Sequence, residues 1–306
     1  MIELRQLTKR YGEVAVVDGL SFDVRPGVVT GFLGPNGAGK TSTMRMILGL
    51  DRPTSGSATI GGRRYADLPV PLREVGALLD AQAVHPRRTA FDHLLSLAYG
   101  NGIGRRRVEE VLGLVGLADV AGRRPGGFSL GMKQRLGIAV ALLGDPPVVL
   151  LDEPVNGLDP EGIRWIRTLT RSLAAEGRTV LLSSHLMSEM ALTADHLVVI
   201  GRGRLIADTG LETFVQSAAR QGVLVRTPDA RRLASLLRES GATVRPGVDG
   251  GLMVTGMTAA EVGGLAGAHG IVLHELTPRR ASLEDAYLEL TGDSVEFATS
   301  APGVVS

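Results

Sequence analysis

Cysteine is absent from the 306-residue chain, which excludes disulfides and thiolate metal sites and fits a reducing compartment. A strong charge of either sign is also missing, since 33 Lys and Arg stand against 32 Asp and Glu and leave a net charge of +1. A nucleic-acid binder ordinarily shows a clustered basic excess, so no nucleic-acid partner is expected. The short runs Arg105-Arg106-Arg107 and Arg123-Arg124 do not supply that excess. Glu109 and Glu110 lie beside the first of them, as on a solvated face. No stretch approaches the roughly 20 apolar residues that span a bilayer. Apolar runs such as Val148 to Leu151 and Leu197 to Ile200 have the length of buried strands. The opening Met1-Ile2-Glu3-Leu4-Arg5 lacks the apolar core of a signal peptide. Any membrane role is therefore expected to come through a partner. Lysine is scarce as well: Lys9, Lys40 and Lys133 are the only ones. An ammonium and a guanidinium are not interchangeable among phosphates, which singles out Lys40.

What remains is an ordinary globular composition, 44% apolar, with length enough for one large domain and a small one. Ile2 to Arg5 and Leu20 to Val24 alternate like strands, and Val28 to Leu33 reads as a buried strand after a Pro26-Gly27 turn. Lys40 to Leu50 reads as a helix. Strand signals recur at Val75 to Leu79, Val148 to Asp152, Thr179 to Ser183 and Leu197 to Ile200. Helical segments lie between them at Ala90 to Tyr99, Arg106 to Val115, Leu130 to Leu143, Gly162 to Ala175 and Met187 to Thr193. That alternation predicts an α/β core on a largely parallel sheet.

Beyond residue 213 the rhythm changes. Val223 to Arg226, Ala242 to Arg245, Leu252 to Thr255 and Ile271 to Glu275 read as strands. Asp229 to Ser240 and Thr258 to Ala268 read as helices, the second with a capping pair in Thr258 and Glu261. The order β-α-β-β-α-β predicts a small ferredoxin-like α+β unit over 214–292. A short helix is expected at Leu283 to Leu290, then a flexible tail over 293–306.

Gly34-Pro35-Asn36-Gly37-Ala38-Gly39-Lys40-Thr41, followed by Ser42, matches G-x-x-x-x-G-K-S/T without a gap. Glycines let backbone N–H groups turn inward around an oxyanion, and the following helix aims its positive end at the same place. Lys40 is expected to reach the β- and γ-phosphates, and the Thr41 hydroxyl to ligate Mg2+. A glycine-rich turn before a helix also arises for purely structural reasons, but here a strand precedes the loop and a helix follows it.

Val148 to Leu151 then runs into Asp152-Glu153-Pro154. Carboxylates at the carboxyl edge of a parallel sheet lie where ligands bind in such folds. Asp152 is expected to hold the Mg2+ shell and Glu153 to polarise an attacking water.

Together these motifs resemble the ATP-binding cassette (ABC) family over about Met1 to Gly210. Phe128-Ser129-Leu130-Gly131-Met132-Lys133-Gln134-Arg135 is similar to the family's L-S-G-G-Q signature, with Leu130 and Met132 in place of a glycine and the glutamine. Drug- and antibiotic-exporting ATPases of the daunorubicin-resistance type have a similar variant. The resemblance implies a P-loop ABC ATPase domain over 1–213 with a helical subdomain at about 86–145. It implies that Ser129 and Gly131 face ATP bound on a second copy, in a head-to-tail homodimer. Tyr11 resembles the aromatic residue that stacks on adenine, Asp159 lies in the loop that crosses the dimer interface, and His185 resembles the switch histidine that orients Glu153. The family's glutamine-loop position falls on Asp80, with Gln82 two residues on. Either one is a candidate, and Asp80 is preferred as a metal or water ligand.

The implied function is a Mg-dependent ATPase subunit at the cytoplasmic face of the membrane. It would drive export of a drug, antibiotic or lipid-like substrate through a separate transmembrane permease. The alternative is a soluble ABC ATPase acting on nucleic acid or ribosomes. Such proteins usually carry two cassettes or a long coiled coil, whereas this chain shows one phosphate loop and no sustained heptads.

Overall fold

The chain begins with an alternating strand, β1 (Ile2–Tyr11), that buries Ile2, Leu4 and Leu7. It pairs antiparallel with β2 (Val14–Val24). Next comes β3 (Val29–Leu33), buried at every position, as expected of a strand covered on both faces. Helix α1 (Lys40–Ile47) follows. The chain then returns as β4 (Ser55–Ile60) to pair with β1, giving a three-stranded sheet in the order β2-β1-β4. The single turn α2 (Pro71–Glu74) leads into β5 (Val75–Leu78).

Three helices, α3 (Ala90–Gly100), α4 (Arg105–Leu114) and α5 (Leu130–Leu142), pack on one another before β6 (Val148–Leu151). On α4, Arg105 pairs with Glu109 and Arg106 with Glu110, each at 3.0 Å, so these two arginines are neutralised on a solvated helix face, while the half-buried Arg107 bonds Asp145 at 3.0 Å and the Leu142 carbonyl at 2.9 Å. Then come α6 (Pro160–Ala175), β7 (Thr179–Ser184), α7 (Met187–Thr193), β8 (His196–Gly201) and β9 (Arg204–Gly210). The six-stranded sheet runs β5-β6-β7-β3-β8-β9, parallel except for β9 on its edge. Parallel pairing aligns the carboxyl ends of β3, β6 and β7, and there the site is built.

The computed structural model describes residues 1–218, 222–247, 250–279 and 287. They fall into two units, one on Met1–Leu211 and one on Glu212–Gly292. Helix α8 (Leu211–Ala218) begins at that boundary. The second unit contains β10 (Gly222–Arg226), α9 (Ala230–Glu239), β11 (Thr243–Pro246), β12 (Leu252–Thr255), α10 (Ala259–Ala268) and β13 (Glu275–Arg279). Its sheet, β11-β12-β10-β13, is antiparallel throughout. The capping box on α10 forms as read, with Thr258 and Glu261 bonding reciprocally. Among the described residues no helix is long and apolar enough to cross a membrane. The expected Leu283 to Leu290 helix and the tail over 293–306 lie outside the described residues, apart from Tyr287.

Three expectations shift. The helix from Lys40 stops at Ile47 rather than Leu50, because the chain turns at Gly49 with φ 63°. The last strand is Glu275–Arg279 and not Ile271 to Glu275. Pro278 argues against a strand, yet among the described residues β13 is an edge and pairs with β10 alone, where a missing N–H is tolerated. Strands β4 and β9 are additional, both mostly exposed or half-buried and so without an apolar run to reveal them.

The seating of α5 on β5 depends on two missing side chains, at Gly76 on β5 and at Gly137 on α5, where a Cβ would meet Leu78 Cδ1 at 2.5 Å. A Cβ on Gly76 would come within 1.8 Å of the Ala141 carbonyl oxygen. Further along α5, Arg135 places its guanidinium 4.6 Å from the centre of the Trp165 ring on α6 and donates to the Val115 carbonyl at 3.0 Å. Gly76→Ala is expected to destabilise the full chain by about 1–3 kcal/mol, read as a lower urea midpoint. Gly100→Ala on α3, which meets nothing within 4 Å, serves as the control that does not lower the midpoint, since Ala favours the helix.

Candidate functional site

Residues 34–39 carry the chain from the end of β3 into α1. The N-cap of α1 is Gly39 at φ 101°, and no side chain caps the helix, so its first N–H groups are available to an anion. The loop, together with Val16, Asp152 and Glu153, lines an open cleft of about 200 Å³.

Lys40 is only 7% exposed. Its ammonium donates to the Gly34 carbonyl at 2.7 Å and the Pro35 carbonyl at 3.3 Å, and lies 3.6 Å from Glu153 Oε1. A buried ammonium needs such acceptors. Thr41 Oγ1 donates to Asp152 Oδ2 at 2.6 Å. The other Asp152 oxygen accepts from Ser183 Oγ, and Ser183 Oγ in turn accepts from the Glu153 N–H at 2.9 Å. His185 Nδ1 lies 2.8 Å from Glu153 Oε2. Glu153 holds φ at 48°, a left-handed conformation that is unusual for a residue with a Cβ.

The structure thus gathers Lys40, Thr41, Asp152, Glu153 and His185 around residues 34–42. Ser183 escapes the sequence reading. Its signal is a pair of polar residues, Ser183-Ser184, closing an otherwise apolar strand beside an acidic strand end. Thr41 and Asp152 offer hard oxygen ligands suited to Mg2+. Among the described residues no group of three or more His, Cys, Asp or Glu gathers around a metal-sized space. The rest of an octahedral shell would therefore be phosphate oxygens and water.

The remaining candidates stand elsewhere in the same unit. Tyr11, at the end of β1, is 53% exposed, with the Lys9 ammonium 5.0 Å from its ring centre. Asp80 turns back on its own loop and accepts from the Gln82 N–H at 2.8 Å. Ser129 caps α5 by accepting from the Met132 N–H at 3.2 Å, and Asp159 caps α6 by accepting from the Gly162 N–H at 2.8 Å.

Leu130 and Gly131 lean on the loop before α6. A Cβ on Gly131 would lie 3.3 Å from Leu158, and one on Gly157 would lie 2.2 Å from Leu130 Cδ2. The bulky Leu130 is accommodated because position 157, at φ 75°, carries no side chain.

Comparison with known proteins agrees with this geometry. Residues 17–156 match the family model described as ABC transporter, and 221–284 match a domain of unknown function. The chain is 44% identical over 211 residues to the bacitracin transport ATP-binding protein BcrA of Bacillus licheniformis, covering 68% of this chain and 69% of that one. It is 36% identical over 313 residues to the Nod factor export ATP-binding protein I of Burkholderia thailandensis, covering 96% and 98%. Among solved structures, a dimeric post-hydrolysis state of the ATP-binding cassette MJ0796 bound to ADP and Pi aligns with a TM-score of 0.64 at 25% identity, over 69% of this chain and 99% of that one.

Gly157→Ala and Leu130→Gly are expected to be coupled. In a double-mutant cycle followed by urea unfolding, Gly157→Ala should cost less in the Leu130→Gly background, by about 0.5 kcal/mol or more. Additive effects would show that the two positions do not press on each other.

Proposed function

We propose, since this chain belongs to the ABC transporter family of ATP-binding subunits, that it works as the motor of an exporter, with its catalytic machinery in the cleft beside residues 34–42. ATP binding and hydrolysis follow from the family. The finer reading is that two copies close head to tail around two ATP molecules at the cytoplasmic face and drive a separate membrane permease. Relatives named for bacitracin transport and Nod factor export support a cargo of the antibiotic or lipid-like kind. The dimeric cassette structure supports the paired arrangement.

The observation that carries this reading is the contact of Lys40 and His185 with one carboxylate, at 3.6 Å and 2.8 Å. Phosphoryl transfer to water needs positioning and charge stabilisation more than covalent help. Backbone N–H groups of residues 34–42 cradle the phosphates. Lys40 exchanges a loop carbonyl for β- and γ-phosphate oxygens. Glu153 accepts a proton from the water that attacks the γ-phosphorus, and ADP leaves as the P–O bond breaks. His185 would donate from Nδ1 to Glu153 and, with an N–H at both ring nitrogens, from Nε2 to a γ-phosphate oxygen. Thr41 and Asp152 would hold Mg2+, with Asp80 rather than Gln82 assisting, and the ion would neutralise charge on the β- and γ-oxygens. Tyr11 offers a ring for adenine. Ser129 and Gly131 of the second copy would close the site, with Asp159 in the loop that crosses between copies.

Glu153→Gln is expected to keep ATP binding and lose turnover by about 10²–10⁴-fold, measured as phosphate release with saturating ATP. Chelation of divalent cations should abolish wild-type turnover, and membranes containing the cognate permease should raise it. Near-normal turnover in Glu153→Gln would remove Glu153 from the role of base.

A further inference from the structure

Glu153 carries its carboxylate on a left-handed backbone, a conformation that persists in a residue with a Cβ only when the surroundings hold it. Three hydrogen bonds do so. The Glu153 N–H donates to Ser183 Oγ at 2.9 Å, and its carbonyl accepts from the Asn156 N–H at 3.2 Å. The third comes from farther along the chain: Gln134 Nε2 donates to the same carbonyl at 3.2 Å. Gln134 sits on α5 and is 5% exposed. It comes within reach because Gly76 lets α5 lie directly on β5. A buried amide is costly unless it is bonded, and this one donates to the backbone of the acid at the centre of the site.

We propose that Gln134 is a positioning residue for ATP hydrolysis. Its amide fixes the rotation of the Glu153 peptide and so the direction in which the carboxylate leaves the backbone, toward His185 and Lys40. The same helix is capped by Ser129, so this bond joins the helix that begins at Ser129 to the backbone of Glu153. The inference rests on Glu153 acting as the base.

The test uses the full chain as wild type, Glu153→Gln, Gln134→Leu and Gln134→Glu. Turnover is followed against ATP concentration and pH, and melting temperature is recorded for each. Gln134→Leu should lower kcat about ten-fold or more with KM for ATP within about twofold, because phosphate binding does not pass through Gln134. A carboxyl at 134 donates to the Glu153 carbonyl only when protonated. Relative to wild type, Gln134→Glu should therefore recover turnover as pH falls, while Gln134→Leu should not.

A kcat for Gln134→Leu within about twofold of wild type would overturn the inference. So would equal losses in both variants at every pH, accompanied by lower melting temperatures, which would mean a packing role only. If Gln134→Leu does not fold, the pH profile of Gln134→Glu decides alone. Indifferent Gln134 variants beside an inactive Glu153→Gln would overturn this inference and leave the functional reading standing. A wild type without Glu153-dependent turnover would overturn both.

Discussion

Parallel pairing sets Leu151 of β6 beside Leu182 of β7, and the rest of the site follows from that register. One residue further, Asp152 leaves its strand beside Ser183, whose hydroxyl donates to one acid and accepts from the backbone of the next. A slip of one residue between these strands would turn the side chains to opposite faces and separate the acids from the loop. The cost of such a slip is set by the core, since β6 and β7 are buried along their whole length. Hydrophobic packing at the centre of the sheet thus fixes polar geometry at its edge.

Within that frame, the electrostatics are arranged around Lys40. A buried cation whose partner is removed is destabilising by about 3–5 kcal/mol, so the Gly34 carbonyl and Glu153 are structural partners of Lys40 as well as chemical ones. All of its partners are oxygen acceptors, and a phosphate oxygen is another. Exchanging one for the other keeps the ammonium satisfied throughout, which is the property a reversible phosphate clamp requires.

Much of this was legible in the sequence because it is local. The run from Gly34 to Thr41 is contiguous, and the strands flanking it announce themselves as apolar runs. The parallel core and the α+β order of the second unit followed from the same periodicity. What escaped was set by tertiary pairing. Ser183 meets Asp152 from 31 residues away, and Gln134 meets Glu153 from 19; Ser183 carries no motif of its own, and the stretch that contains Gln134 does not point to that partner. Strand β4, with the sequence Ser-Gly-Ser-Ala-Thr-Ile, is a strand because β1 offers it an edge. The last strand was read at Ile271 to Glu275, the more apolar run, whereas β13 forms at Glu275–Arg279 because β10 offers it an edge. Likewise nothing in the sequence pairs Leu130, which stands in place of the signature's glycine, with the Gly157 that makes room for it.

The stacking of Arg135 on Trp165 has an optical consequence. Trp165 is the chain's single tryptophan, and it lies on α6 beneath a cation carried by α5. The electric field of that cation shifts the indole's excited state, so the tryptophan fluorescence of the protein comes from the seam between α5 and α6. The molecule therefore holds a native spectroscopic gauge of that seam, readable without a label and without an engineered residue.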